Sequence, residues 1–459
     1  MAAQKKASAA SEIKFAGLPA AIEDARVAAA STDDGPKEPS HYDELVARLK
    51  AVKDRFPPVY EQGFVGPYLA TVEALGPAKF ARVLASDPDR VSSAGLLFDL
   101  AQAILQHGEG YQKAPTRAYQ ELTSDLYDGF LSAEDRHGVK PPDRGVIPPL
   151  AKWGNPTSGP YTWPVDATAS FGVKAGVVNL PPANATSGVV GWAALGHETA
   201  GHDILHADSG LQEELASAVR AKLKPLGHGL ADYWADRIDE TASDVMGLLN
   251  IGPSAGIGLI ALFRGWSLAM GEPPVLRSEG PAGDVHPADI VRGYLAAELI
   301  ALLTFSKRGA WSKAIARETD KDRKTIVLAG VTIAPALARK SAQIVAQTLA
   351  LTKVAALEQH ALADIQNWSD ADEALVDGVR EAFRTGGPLP AAPADRPLYA
   401  AHLVAAATVE AVTSGQGIPA LQQRMIAELD ALHDKNPSWG PLFVTHPGQL
   451  HRDFARAGR

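Results

Sequence analysis

The sequence predicts a mainly α protein with a small β-sheet (α+β), in which a central core is flanked by helical lobes. In most long segments, such as residues 42–56, 91–105 and 117–131, apolar residues recur with the 3.6-residue period of an amphipathic helix. One β-rich run, residues 171–180, ends at two prolines and predicts the sheet. Because 46% of the 459 residues are hydrophobic, the chain can bury a sizeable core.

Changes in composition divide the chain into four regions. Residues 1–40 are rich in alanine, serine and charge, which predicts a flexible N-terminal arm. Residues 41–140 have helical periodicity and predict a helical N-terminal region. Residues 141–255 begin with a proline-rich lead-in and contain the predicted core. Residues 256–459 are rich in alanine and leucine and predict a helical C-terminal region.

The strongest chemical signal is a glutamate beside the first of two histidines, in His197-Glu198 and the nearby His202. A second acidic cluster, which contains Glu240 and Asp244, follows downstream. Two histidines and one glutamate are a common ligand set for catalytic zinc, which keeps its fourth position for water. A glutamate next to a ligand can then accept a proton from that water. The sequence therefore predicts a hydrolytic zinc site.

The spacing of the two histidines is unusual, because His197 and His202 are five residues apart. On a regular helix of 3.6 residues per turn, this spacing separates the side chains by about 140°, too far for both to reach one metal. We therefore expect a local widening of the helix, a π-bulge, which is frequent at functional sites. Gly201 is the residue best able to adopt the unusual backbone angles.

The second acidic cluster predicts a helix face with two carboxylates. Glu240 and Asp244 are four residues apart, so both project from the same side of a helix. A carboxylate that accepts the other N–H of a metal-bound histidine is a recurring feature of metal sites. For such a pair alone, a solvated acidic surface would be the simpler interpretation. Its combination with the histidine motif favours a metal site.

These two segments resemble known zinc peptidases. The segment His197-Glu198-x-x-Gly201-His202 resembles the HExxGH helix of the dipeptidyl peptidase III family, which carries the same one-residue insertion. Residues 239–244 are similar to the EExxA(E/D) segment of that family, and more similar to the NExxSD segment of thermolysin-like peptidases. The resemblance indicates a zincin metallopeptidase of the glutamate-ligand (gluzincin) type.

The resemblance implies a role for each residue of the two motifs. His197, His202 and Glu240 would bind one Zn²⁺ per chain. Glu198 would be the general base. Asp244 would not bind zinc itself but would orient a histidine that does. The implied protein is a zinc-dependent metallopeptidase with a zincin-like metal core between helical lobes. Its partner would be a peptide or protein substrate.

An alternative ligand pair lies in the same segment. His206 is four residues after His202, so these two side chains share a helix face without any distortion. In this alternative His197 is displaced, and Asp203 takes the position of the catalytic carboxylate. In the preferred interpretation, His206 lies one turn beyond the ligands and supports the site from there.

The strand before the motif suggests a place for substrate. In zinc peptidases of this type, an edge strand lies beside the metal-binding helix, and an extended peptide can add to it by backbone hydrogen bonds. Val177–Leu180 is the candidate for that strand, although an ordinary sheet strand is the simpler interpretation.

Donors to the oxyanion are expected further along the chain, because such a site usually gains a tyrosine, histidine or arginine. His286 and Tyr294 are the first candidates for this catalytic role, with Arg292 between them. The other candidates are Tyr399, His402, His446, His451 and Arg452.

Composition excludes several other classes of protein. With 44 basic against 53 acidic residues, the formal net charge of −9 argues against nucleic acid or an anionic membrane as partner. The absence of cysteine excludes cysteine-ligated zinc, thiol catalysis and disulfides. The N-terminus lacks the apolar core of a signal peptide, and no apolar run is long enough to span a membrane. We therefore expect a cytoplasmic protein, unless a signal-independent route exports it.

Two other functions fit the same motifs. One is a catalytically inactive or non-peptidase zincin that acts as a helical scaffold and tolerates Glu198→Gln. The other is a helical assembly component in which the histidine motif is coincidental and no metal binds.

Overall fold

The computed structural model describes residues 12–127, 136, 138–144, 147–391 and 397–440. The structure is 64% helical, and its described part contains two small three-stranded sheets. The predicted class, mainly α with a small β component, is confirmed, but the sequence predicts only one of the two sheets. No helix among the described residues combines the length and the apolar surface that a membrane crossing needs.

The helices form three groups along the chain. The first group comprises α1 (Leu18–Ala29), α2 (Tyr42–Val52), α3 (Pro58–Tyr60), α4 (Gly66–Ser86), α5 (Ser93–Glu109) and α6 (Lys113–Asp125). The second comprises α7 (Val165–Thr168), α8 (Leu211–Leu223), α9 (Leu230–Ala235), α10 (Ile238–Ile251) and α11 (Pro253–Ala269). The third comprises α12 (Asp289–Leu302), α13 (Arg308–Asp320), α14 (Pro335–Leu351), α15 (Leu362–Ile365), α16 (Asp370–Thr385), α17 (Ala400–Thr413) and α18 (Ile418–His433). Helices α2, α5 and α6 overlap the segments where apolar periodicity predicts them, although α5 ends four residues later and α6 begins four residues earlier than predicted.

The first sheet lies beside the histidine motif. Its strands are β1 (Leu150–Trp153), β2 (Tyr161–Trp163) and β3 (Val177–Leu180), in the order β1-β3-β2. Strand β3 is parallel to β1 and antiparallel to β2. The expectation that β3 is an edge strand is therefore wrong, and β2 occupies the edge next to the motif. All four residues of β3 are buried, as a central strand covered on both faces requires.

The second sheet lies in the region that the sequence predicts as entirely helical. Its strands are β4 (Glu279–Gly280), β5 (Ile326–Leu328) and β6 (Val331–Ile333), in that order. A two-residue turn, Ala329-Gly330, joins β5 to β6 with positive φ at both positions. This turn matches the right-handed twist of an antiparallel hairpin. Because each strand has only two or three residues, periodicity could not reveal the sheet.

Helix α1 is packed into the core, which corrects the prediction of a flexible arm for this part of residues 1–40. Leu18, Ala21 and Ala25 are buried where α1 contacts α11 and α17. A Cβ on Gly265 of α11 would lie 2.6 Å from the Cβ of Ala25, so the two helices meet through small residues. Small side chains alone predict flexibility, but here they permit close packing between helices. Residues 1–11 lie outside the described residues.

Small residues also bring the histidine motif against α10. Gly201 is not among the glycines with positive φ, so unusual backbone angles do not explain its presence. A Cβ at Gly201 would lie 2.4 Å from the Cβ of Ser243 on α10. The glycine therefore permits a close approach between the motif and the second acidic cluster, which the site requires.

Candidate metal centre

The two histidines of the motif lie on a π-helical segment, Gly196–Asp203. A π-helix makes i→i+5 hydrogen bonds, so residues five apart lie nearly above one another. The Nε2 atoms of His197 and His202 are 3.0 Å apart, and their rings are nearly perpendicular at 84°. The predicted widening of the helix is confirmed.

Glu240 on α10 completes a compact group of ligand atoms. Its Oε2 lies 3.3 Å from Nε2 of His197, and its Oε1 lies 3.5 Å from Nε2 of His202. Tetrahedral zinc with bonds of about 2.0 Å holds neighbouring ligand atoms about 3.3 Å apart. Oε2 of Glu240 is also buried without a hydrogen-bond partner among the described residues. One ligand atom from each of the three side chains lies within 4.8 Å of the other two, so the group could hold a metal ion, and it is the only group of this kind in the described part of the chain.

Each histidine is oriented by a carboxylate of its own. Nδ1 of His197 lies 2.9 Å from Oδ1 of Asp244, and Nδ1 of His202 lies 3.1 Å from Oδ2 of Asp239. When each Nδ1–H donates to its carboxylate, each Nε2 carries a lone pair that faces the other histidine. Two lone pairs 3.0 Å apart repel each other unless a cation or a proton lies between them. The orientation of the rings therefore requires a proton or a cation between the two Nε2 atoms.

The charges around the cluster also favour a cation. Burial lowers the pKa of His197, but the hydrogen bonds and charges of Asp244 and Glu240 outweigh burial and raise the pKa to about 10. Burial raises the pKa of Glu240, but its close contacts with His197 and His286 and the charge of Arg292 hold the pKa well below its usual range. The carboxylates therefore stay ionised and attract positive charge to the point between the two Nε2 atoms.

A buried arginine holds Asp244 in place. Arg292 on α12 donates from Nε to Oδ2 of Asp244 at 2.8 Å and from Nη2 to Oδ1 at 2.7 Å. The exposed fraction of Arg292 is 6% and that of Asp244 is 3%, so water competes little with this bidentate pair. Burial raises the pKa of Asp244, but the charge of Arg292 outweighs it, and the pKa is lowered. The sequence suggested Arg292 as an oxyanion donor, whereas its main contact is with Asp244.

Sequence reasoning missed the role of Asp239. Its carboxylate contacts His202, and it also lies 3.3 Å from Nε2 of His206 and accepts a hydrogen bond from Gln212. Nδ1 of His206 lies 3.0 Å from Oδ2 of Asp166, so both of its ring nitrogens face carboxylates. His206 therefore supports Asp239 and does not join the ligand group, which disfavours the alternative pair of His202 and His206. The adjacent acidic pair at 239–240 was the available signal.

Glu198 lines the same cavity as the three candidate ligands. Its exposed fraction is 6%, and its Oε2 accepts a hydrogen bond of 2.8 Å from Oγ1 of Thr162 on β2. Oε1 makes no hydrogen bond with any described residue. The cavity has a volume of about 340 Å³. One carboxylate oxygen of Glu198 is thus fixed by a hydrogen bond, and the other is available to accept a proton, as a general base requires.

One wall of this cavity is apolar. It is formed by one face of α11, whose lining residues have the i, i+3, i+4, i+7 spacing of a helical stripe. These residues are Leu259, Leu262, Phe263 and Trp266. The guanidinium of Arg292 lies 4.8 Å from the centre of the Phe263 ring, where the apolar wall meets the polar cluster. The cavity therefore joins a group of ionisable side chains to a surface suited to an apolar group.

The two first candidates for the oxyanion donor have different positions. His286 lines the cavity with a half-exposed side chain, and its Nε2 lies 3.2 Å from Oε1 of Glu240. Tyr294 does not line the cavity, and its hydroxyl donates to Oδ1 of Asp320 at 2.9 Å. Side chains two positions apart on a helix point in directions about 200° apart. Since Arg292 faces the cluster, Tyr294 faces away from it. The prediction of a catalytic role for Tyr294 is therefore corrected.

The remaining donor candidates lie away from the cavity or outside the described residues. His402 on α17 is buried, and its Nε2 lies 3.0 Å from Oδ1 of Asp372. Tyr399 is the residue before α17 and does not line the cavity. His446, His451 and Arg452 lie outside the described residues. Within the described chain, His286 and Arg292 are therefore the candidate donors that reach the cluster.

Comparison with known proteins identifies no family for this chain. No protein-family model, no curated protein and no solved structure matches this chain. The resemblance of the two motif segments to gluzincins stays a prediction. The functional argument therefore depends on the geometry of the candidate metal centre.

Proposed function

We propose that the protein is a zinc-dependent metallopeptidase, which hydrolyses peptide bonds with Glu198 as general base. The observation that carries the proposal is the convergence of His197, His202 and Glu240, whose candidate ligand atoms, one from each side chain, lie within 4.8 Å of one another. Two imidazoles and one carboxylate are a common ligand set for catalytic zinc. The ion would be held by His197, His202 and Glu240, one per chain.

The side chains around the cluster supply the other parts of a hydrolytic reaction. Zinc bound there would act as a Lewis acid and lower the pKa of a bound water to about 7. Oε1 of Glu198 would accept the proton of that water and pass it to the leaving amine. The ring nitrogens of His286 face Glu240 and Asp284, and a hydrogen bond with Glu240 raises the pKa of His286. By turning from one of these carboxylates, His286 would donate an N–H to the oxyanion.

Two features favour a peptide as substrate. Strand β2 is at the edge of its sheet and contacts the π-helical segment, so an extended peptide could pair with it beside the cluster. The apolar wall of α11 could accept an apolar side chain of the same peptide. A cavity of about 340 Å³ is in the range of sites for small ligands, so it suits a few residues of an extended chain.

The first test is the metal content of the purified protein. We expect about one zinc per chain in the wild type after reconstitution, and loss of zinc in His202→Ala and Glu240→Ala, since each variant removes one of three protein ligands. His41→Ala is the matched control, because His41 is exposed and outside the cluster. Elemental mass spectrometry measures the result. A reconstituted wild type without zinc would overturn the proposal.

Peptide hydrolysis is the second test. The zinc-loaded wild type should cleave peptides from a mixed library, and a chelator should stop cleavage. A protein that binds zinc but cleaves no peptide would support the scaffold alternative, in which the metal has a structural role.

A further inference from the structure

Strand β2 presents its side chains to two different surroundings. Tyr161 and Trp163 project from one face, where the hydroxyl of Tyr161 and Nε1 of Trp163 donate to Oδ2 of Asp99 at 2.6 and 2.7 Å. Thr162 projects from the opposite face, as the alternation of a strand requires. Its Oγ1 lies 2.8 Å from Oε2 and 3.1 Å from the main-chain oxygen of Glu198. One short strand thus connects a partly buried polar network to the candidate general base.

This network holds the strand independently of Glu198. Nζ of Lys152 lies 2.9 Å from Oδ1 of Asp99 and donates to Oδ1 of Asn179 and to the hydroxyl of Tyr161. The side chain of Lys152 is only 1% exposed, so these contacts are shielded from water. Since Tyr161 and Trp163 are anchored on both sides of Thr162, the hydroxyl of Thr162 has a set position.

We propose that Thr162 is the positioning residue of the general base. It holds Oε2 of Glu198, so that Oε1 is the oxygen directed to the cavity. A glutamate side chain has three rotatable bonds, and Thr162 is the only described residue that forms a hydrogen bond with this carboxylate. A general base must lie within hydrogen-bond reach of the proton that it accepts. The inference rests on the proposed function, but its structural part can be tested without activity.

Two substitutions separate the hydroxyl from the shape of the side chain. Thr162→Val keeps the β-branched shape that suits a strand and removes the hydrogen bond. Thr162→Ser keeps the hydroxyl and removes a methyl group. Thr332→Val is the matched control, because Thr332 is an exposed threonine on β6, the edge strand of the other sheet.

The decisive measurement is the conformation of Glu198 in crystal structures of the full chain with zinc. The wild type and Thr162→Ser should have one conformer, with Oε2 of Glu198 on the hydroxyl of residue 162. In Thr162→Val the carboxylate should rotate away or occupy several conformers. A carboxylate that keeps its wild-type conformation in Thr162→Val would overturn the proposal, whether or not the protein is a peptidase.

Kinetics provide the second measurement. Thr162→Val should lower kcat about ten-fold with KM, zinc content and Tm unchanged, because the lost hydrogen bond is to a charged group that acts in the chemical step. Thr162→Ser and Thr332→Val should retain the wild-type kcat. An unchanged kcat in Thr162→Val would contradict the positioning role. A wild type without hydrolysis would reject the proposed function, and the crystallographic result would still decide the role of Thr162.

Discussion

The candidate metal centre and a second buried group, the Glu121 cluster (Glu121, His433 and Asn436), both place a histidine against a carboxylate. In the Glu121 cluster, Nδ1 of His433 lies 3.1 Å from Oε2 of Glu121, and Asn436 donates to both carboxylate oxygens. Burial raises the pKa of Glu121 and lowers that of His433, so both groups favour their uncharged forms. In the metal centre, the pKa of His197 is raised to about 10.

The difference lies in the number of carboxylates that contact each histidine, since burial lowers the pKa of both histidines. His197 contacts two carboxylates, and Arg292 keeps Asp244 ionised, whereas Glu121 has only amide and imidazole partners. Cavity size does not separate the two regions, because the cavity beside His433 is larger, at about 510 Å³ against about 340 Å³. A cation site therefore needs an excess of ionised carboxylates around histidine, and the Glu121 cluster instead joins α6 to α18.

The largest expected effect is on the rate of peptide hydrolysis, when a glutamate in each region is replaced by glutamine. Glu198→Gln should lower the rate of peptide hydrolysis by about two to four orders of magnitude, because the amide cannot accept a proton. Its zinc content should be unchanged. Glu121→Gln and Glu213→Gln, an exposed control, should keep the wild-type rate. Steady-state assays of zinc-loaded protein measure these effects, and a fully active Glu198→Gln would remove Glu198 from the mechanism.

The carboxylates that orient the two histidines should differ in their effect on zinc affinity. Asp244→Asn should weaken zinc binding about ten- to one-hundred-fold, since it replaces the charged acceptor for His197 with a weaker, neutral one and leaves the buried Arg292 without its ionic partner. Asp239→Asn should have a smaller effect, because the side chain of Asp239 is 42% exposed.

Competition with a chromogenic chelator measures both affinities. Glu121→Gln is the control. Because Glu121 lies outside the candidate metal centre, this substitution should leave the zinc affinity unchanged. Equal affinities for Asp244→Asn and the wild type would contradict the orienting role of Asp244.

The last expected effect leaves the zinc site unchanged and is a pH-dependent difference in stability at the Glu121 cluster. The pKa of Glu121 is raised from 4.5 to about 8 in the folded protein, mainly by burial. The folded state therefore binds this proton more tightly than the unfolded state. The resulting stability is fully present below pH 4.5 and is lost as the pH rises through about 8.

Glu121→Gln cannot ionise, so its free energy of unfolding should improve relative to the wild type as the pH rises from 5 to 8. The expected change is about 3 kcal/mol, because the pKa shift acts over most of this range. Urea unfolding at several pH values measures the difference between the two proteins. A difference that stays constant across this range would mean that Glu121 does not change its protonation state there.

Features that depend on residues close in the sequence were predicted well. The five-residue spacing of His197 and His202 led to the π-helical turn, and apolar periodicity led to the helices of the N-terminal region. In contrast, the burial of α1 depends on its contacts with α11 and α17. The same applies to the central position of β3, which depends on the pairing of strands distant in the chain.

The sequence by itself determined which residues could bind a metal and that the helix carrying them had to widen, because both follow from side-chain chemistry and residue spacing. Only the tertiary structure decided that Asp239 faces His202, that Thr162 holds Glu198 and that Tyr294 turns to Asp320. Each of these contacts joins separate elements, and its distance and angle depend on how those elements pack. Packing is a cooperative property of the whole core, so local patterns cannot encode it.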